Sequence, residues 1–313
     1  MTYKNKLYFL IVLIAVLVLL YTGNLIFSSG FGSRNASFAW LDSKTAERTS
    51  RIEINTFNGT LELFKQNNMW FVKQNDNVYP ARQIRVQDFI NVLTERSSWP
   101  VRSSSASSHE RFGLENNASR VTIYAETAVL LDILLGNDDY VNNETYLRLS
   151  GNNEVRSGSS NIKSYTNSSA ASWYNLRLIP ESEGGQIELN SVQRLSVHTP
   201  SGSQVFTRSN RGWQISGIDI ANPDTHAIEN YIRYVLNNEG DSFSDEISWD
   251  APIFDNSRFV LEFGNGRVIT IRLTDEDESG RRFANVTGST HVYSIPSWSA
   301  NRLFRDAESF ELQ

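Results

Sequence analysis

The chain reads as an α+β protein: an N-terminal transmembrane helix, then two tandem repeated units of antiparallel sheet, each packed with one main helix. Three observations predict this. An uninterrupted apolar run opens the chain behind Lys4 and Lys6, a hairpin-plus-tryptophan pattern occurs twice at one fixed spacing, and a helical apolar stripe follows each copy. The pattern divides the sequence into a cytoplasmic tip and anchor over 1–28, a stalk over 29–45, a first unit over 46–180 and a second over 181–313.

The anchor is expected from Leu7 to Phe27. At 1.5 Å of rise per residue a helix of that length spans about 31 Å, the thickness of a bilayer's hydrocarbon layer. The run is long for the apolar core of a cleaved signal peptide, and the small residues that follow, Ser28 to Ser33, make a poor cleavage site, so an uncleaved anchor is the better reading. Lys4 and Lys6 before the span, against Arg34 close behind it, place the N-terminus in the cytoplasm and the remainder outside. With no cysteine there is neither a lipobox nor a disulfide, so an exported region must rely on buried apolar surface, as bacterial envelope proteins do.

In the first unit, Ile52 to Phe57, the turn Asn58-Gly59 and Thr60 to Lys65 predict a hairpin, with Trp70 to Val72 as a third strand. In the second, Leu195 to His198, Ser201-Gly202, Gln204 to Arg208 and Trp213 to Ile215 repeat the order. Gly59 and Gly202, like Trp70 and Trp213, stand 143 positions apart, and one shared offset argues for duplication. Val86, Phe89, Ile90 and Leu93, then Ile228, Tyr231, Ile232 and Val235, predict the helices, the second capped by Asn222 with Pro223 at its first turn. Alternation at Leu131, Ile133 and Leu135 and at Ile269, Ile271 and Leu273, offset by 138, predicts further strands. Tyr146 to Leu149 against Phe283 to Val286, and Val155 against Val292, complete each sheet, with Gly151 and Gly288 in turns. Trp173 to Ile179 and Pro180 to Gly185 read as the connector, and Ser103 to Ser108 as a serine-rich loop.

Chemistry is sparse. Setting aside Lys4 and Lys6 leaves 27 basic against 35 acidic residues, a formal charge of −8 beyond the anchor that does not suit nucleic acid. His109, His198, His226 and His291 show no zinc spacing, and the acidic runs Asp138-Asp139 and Asp275 to Glu278 lack a calcium-loop pattern, so solvated turns are expected there. Neither a Gly-x-Ser-x-Gly elbow nor a phosphate loop occurs. No catalytic residue, cofactor or metal ligand is therefore assigned. Among the tryptophans, Trp70 and Trp213 belong to the repeated core, which leaves Trp249 and Trp298 as candidate contacts for a partner or ligand. Sequons at Asn35, Asn58, Asn117, Asn143, Asn167 and Asn285 fit the general richness in Asn, Ser and Thr better than glycosylation.

The motifs Trp70-Phe71-Val72, Tyr79-Pro80-Ala81, Arg111-Phe112-Gly113-Leu114, Leu134-Leu135-Gly136, Tyr146-Leu147-Arg148 and Trp173-Tyr174-Asn175-Leu176-Arg177 stand in the order found in a bacterial family, the domain of unknown function 4340, which the chain resembles. The second unit matches more loosely, keeping Trp213 and Leu303-Phe304-Arg305-Asp306 but showing Ile253-Phe254-Asp255 where the first has Phe-Gly-Leu. The resemblance carries over no activity and no catalytic residue. Members are typically encoded with gliding-motility-type ABC transport components, which implies a non-enzymatic accessory subunit in the inner membrane, projecting into the periplasm and meeting a permease or another envelope protein. A glycan- or peptidoglycan-binding module and an envelope hydrolase with paired carboxylates are the alternatives.

Overall fold

The computed structural model describes residues 37–312 except 75, 116–117, 180–188, 211, 218–219 and 221. The expected anchor Leu7–Phe27, stalk residues 29–36, the connector run Pro180 to Gly185, and Asn35 and Asn117 lie outside the described residues. Among those described, no helix is long and apolar enough to cross a membrane. The fold is mixed α+β with antiparallel sheets and few helices, and divides into two compact units.

The first unit takes the chain through Val78 and then Gln83–Ser169. Its sheet is built from β1 (Arg51–Thr56), β2 (Gly59–Gln66), β3 (Met69–Gln74), β4 (Asn77–Pro80, whose last two residues count with the second unit), β5 (Val101–Ser103), β6 (Ser119–Ala125), β7 (Ala128–Asp139), β8 (Glu144–Leu149) and β9 (Val155–Ser159). They form a sheet in the order β4-β3-β2-β1-β6-β7-β8-β9-β5. The chain steps outward from β1 to β4, and the helix α2 (Gln83–Thr94) carries it to the opposite edge at β5. It then re-enters beside β1 with β6 and walks out again to meet β5, followed by the short helix α3 (Asn161–Thr166). Each inner strand buries alternate residues, such as Ile52 and Ile54 or Val121 and Ile123, and α2 buries its whole expected stripe, Val86, Phe89, Ile90 and Leu93.

Residues 38–46, the far part of the segment assigned to a stalk, pack into this unit. Phe38 bridges Ser97, the buried Trp40 lies edge-on to Trp99 at 5.3 Å, and the Leu41 amide donates to the Leu93 carbonyl at 2.9 Å. A four-residue helix, α1 (Ser43–Ala46), follows, capped by the Asp42 carboxylate. Trp40 is why this stretch does not stay in water: packed on Trp99, its ring buries a large apolar area.

The second unit comprises Tyr79–Arg82 and Ala170–Gln313. Its strands are β10 (Val192–Thr199), β11 (Gly202–Ser209), β12 (Gly212–Ser216), β13 (Ser242–Ser244), β14 (Ser257–Phe263), β15 (Val268–Leu273), β16 (Arg281–Val286) and β17 (Val292–Pro296). The order β12-β11-β10-β14-β15-β16-β17-β13 reproduces that of the first sheet without β4. Register is reproduced as well. Ile54 faces Val121 in one unit, and its repeat partner Val197 faces Phe259 in the other. The helix α4 (Thr225–Leu236) buries Ile228, Tyr231, Ile232 and Val235 in one cluster with Leu195, Phe206, Phe259 and Ile271. Trp70 and Trp213 are both buried, as their shared position predicts.

One expectation needs correction. The cap of α4 is Asp224, whose carboxylate accepts from the amides of His226 and Ala227 at 2.8 and 3.2 Å. Asn222 lies too early, because Pro223 is drawn into an isolated bridge with Glu311. The three-residue strands β5 and β13 form the far edge of each sheet. The connector residues Leu176 and Leu178 are buried, and Leu178 donates to the Asn238 carbonyl at 3.0 Å.

Candidate functional site

At the end of the second sheet where the β10–β11 turn emerges, a 380 Å³ pocket opens between that turn, the start of β14, the connection from β15 to β16, and the segment Phe304–Asp306. Its volume falls in the range of small-molecule sites. Gly202, at φ +151°, closes the turn, and Gly217, at φ +89°, lets the chain leaving β12 approach the Ser203 carbonyl, which a Cβ would meet at 2.2 Å. Gln204 donates to the Arg305 carbonyl at 2.9 Å and so pins the C-terminal segment over the turn.

Four ionisable side chains line this pocket: Asp275, Arg282, Arg305 and Asp306. Among the described residues none of them makes an ion pair. Arg282 is half-buried. Its guanidinium lies 5.1 Å from the Phe304 ring centre and donates through Nη1 to the Thr274 carbonyl at 3.0 Å. Asp275 accepts from the Asn256 amide at 2.7 Å. Arg305 and Asp306 are exposed.

The tryptophans singled out from the sequence do not converge on this pocket. Trp298 stands 69 % exposed on the short helix α5 (Ser297–Ala300). Trp249 is half-buried, and its carbonyl accepts from the Asn285 amide at 2.7 Å. Asn285 is itself buried, so its sequon is inaccessible in the folded unit. Of the acidic runs expected in solvated turns, Asp275 to Glu278 are exposed in the connection after β15, whereas Asp138 and Asp139 are half-buried at the end of β7 and paired with β8. Asp139 and Asp277 have pKa values below the ordinary carboxylate value, Asp139 through hydrogen bonds from Asn142 and Asp277 through those from Ser279 and Arg281. Among the described residues no group of histidines and carboxylates is placed to hold a metal.

A mixed cluster lies apart from the pocket in the same unit. Tyr79 stacks on Phe243 at 4.9 Å and donates to the Asp245 carboxylate at 2.6 Å, and His291 packs against both rings at 5.3 and 5.0 Å. Burial lowers the His291 pKa, with Asp245 pulling the other way. Sequence reasoning missed both the pocket and this cluster. Their members are single residues far apart along the chain, and the one available signal was the Tyr79-Pro80-Ala81 and Leu303-Phe304-Arg305-Asp306 motifs.

Fold and site together define a duplicated antiparallel α+β protein with a polar pocket in its second copy. The family model described as Domain of unknown function (DUF4340) matches residues 70–246, more than half of the 313-residue chain, and the chain belongs to this family. No curated protein matches it.

Proposed function

We propose that this protein is a non-enzymatic, extracytoplasmic interaction subunit, held in a bacterial inner membrane by Leu7–Phe27 and serving an ABC-type transport complex. The observation that carries the reading is an apolar run of bilayer length, preceded by Lys4 and Lys6, at the head of two units that repeat one sheet order. Such a chain would keep both units close to the bilayer surface. The typical encoding of family members with gliding-motility-type ABC components supplies the class of partner. Affinity purification of the full chain in mild detergent tests it. Recovery of one transporter's permease and ATP-binding subunits in fixed proportion supports the reading, and elution of the chain alone as a monomer contradicts it.

A second reading, a glycan- or peptidoglycan-binding module, is favoured by the exposed ring of Trp298. Trp298→Ala should then reduce retention on insoluble peptidoglycan, and unchanged retention removes the reading. A paired-carboxylate hydrolase is the third reading, and the titration of the described aspartates does not favour it. Such an enzyme needs one carboxyl held protonated, yet the aspartates with displaced pKa values, Asp42, Asp132, Asp139, Asp250 and Asp277, are all pushed down.

A further inference from the structure

We infer that the pocket at the turn end of the second sheet binds a small zwitterion carrying one carboxylate and one ammonium group, of amino-acid to dipeptide size. The two copies of the duplicated fold treat the same position differently. In the first, Asp138 faces Thr145 across β7 and β8, and both of its carboxylate oxygens are engaged. Thr145 donates to one at 2.7 Å, and Lys163 meets the other at 3.0 Å while also donating to the Gly136 carbonyl at 2.7 Å.

In the second, the β15–β16 register ends at Leu273–Ala284, and Asp275 and Arg282, which match Asp138 and Thr145 at an offset of 137, lie just beyond it on the pocket wall. Opposite charges brought together on neighbouring strands ordinarily pair. Here they do not. Arg282 is turned to the Thr274 carbonyl and the Phe304 ring, and Asp275 to Asn256. Arg305 and Asp306 add a second cation and a second anion, again without an ion pair among the described residues, in a segment fixed by Gln204.

The pocket is therefore balanced in charge, with no ion pair among its four ionisable side chains in the described residues. A simple anion would leave the aspartates facing it, and a simple cation the arginines. A ligand with both charges satisfies the two sets at once. Its carboxylate is suited to the planar guanidinium forks of Arg282 and Arg305, and its ammonium to Asp275 and Asp306. The 380 Å³ volume admits a molecule of that size. This inference does not rest on the transporter reading, because it uses only the second unit's own contacts.

The test is calorimetric titration of the detergent-purified full chain with each of the protein amino acids, glycylglycine, acetate and methylammonium. Saturable binding of at least one amino acid or of glycylglycine is expected, with acetate and methylammonium not binding. Affinity should fall about tenfold or more in Arg282→Met and in Asp275→Asn. Arg305→Met and Asp306→Asn remove charge from exposed side chains, so they fold even where Arg282→Met does not, and they should weaken binding in the same sense. The inference is overturned if no zwitterion binds, if acetate alone binds as well as the zwitterion, or if binding survives Arg305→Met and Asp306→Asn unchanged.

Discussion

The side chain of Gln83 completes the backbone hydrogen bonding of Trp70: its Oε1 accepts from the Trp70 amide at 2.8 Å, and its Nε2 donates to the Trp70 carbonyl at 3.0 Å. The first residue of α2 thereby ties the helix to β3. In Gln83→Ala both Trp70 groups lose these partners, so the first unit should lose about 1–3 kcal/mol. Chemical denaturation measures the loss, and hydrogen exchange at the Trp70 amide should accelerate. Unchanged exchange there would show that the contact does not hold the helix to the strand.

Gly158 is held glycine by Trp99. A Cβ at this position would lie 2.2 Å from the Trp99 ring, at Cε3 and Cζ3. Trp99 is itself buried and packed on Trp40, so the ring has nowhere to retreat. Gly158→Ala should cost about 1–3 kcal/mol or more, read as a lower thermal midpoint.

Phe112 and Phe254 occupy matching places, each in a short 3-10 turn ahead of the strand that re-enters beside the unit's first. Both are buried, Phe254 to 1 % exposure. Truncation to alanine should destabilise either unit by about 3–5 kcal/mol. A negligible effect at Phe254 would mean that Ile253-Phe254-Asp255 does not stand in for the Phe-Gly-Leu element.

His291 makes stability depend on pH. Burial keeps its imidazole neutral in the folded unit below the ordinary histidine value. As pH falls through about 6.5, the unfolded chain takes up the proton first, so stability drops with falling pH. The loss ends once the folded imidazole protonates too. In His291→Gln the thermal midpoint should change less across this window than in the parent protein. Equal slopes would place the titrating group elsewhere, with His198, whose pKa burial also lowers, the first to examine.

Local rules made much of the fold legible. Gly59 and Gly202 do take positive φ in hairpin turns, the apolar stripes of α2 and α4 are buried residue for residue, and the alternation at Leu131 and Ile269 does mark inner strands. The bulge between Leu135 and Asp138 adds one residue to the first copy, which explains the drop from an offset of 138 at Leu135 and Leu273 to 137 at Asp138 and Asp275. What local rules do not encode is which strands meet. The β1–β6 pairing joins residues about seventy apart, and the three-residue β5 and β13 are too short to show a period.

The pocket was hidden for a related reason. Asp275, Arg282, Arg305 and Asp306 sit at strand ends and connections, where charged residues ordinarily face water. Only their convergence without pairing sets them apart from a solvated turn, and that is a property of three dimensions. Trp298 was singled out, with Trp249, only because neither occupies the repeated position of Trp70 and Trp213; its exposure is a property of the structure alone.

The proposed function requires both units to stand outside a bacterial inner membrane. Because the chain has no cysteine, a single Ser104→Cys in the exposed serine-rich loop gives one thiol to follow in intact spheroplasts. A membrane-impermeant maleimide should label it without lysis, with the labelled protein remaining in the membrane fraction. Labelling only after lysis would contradict the account.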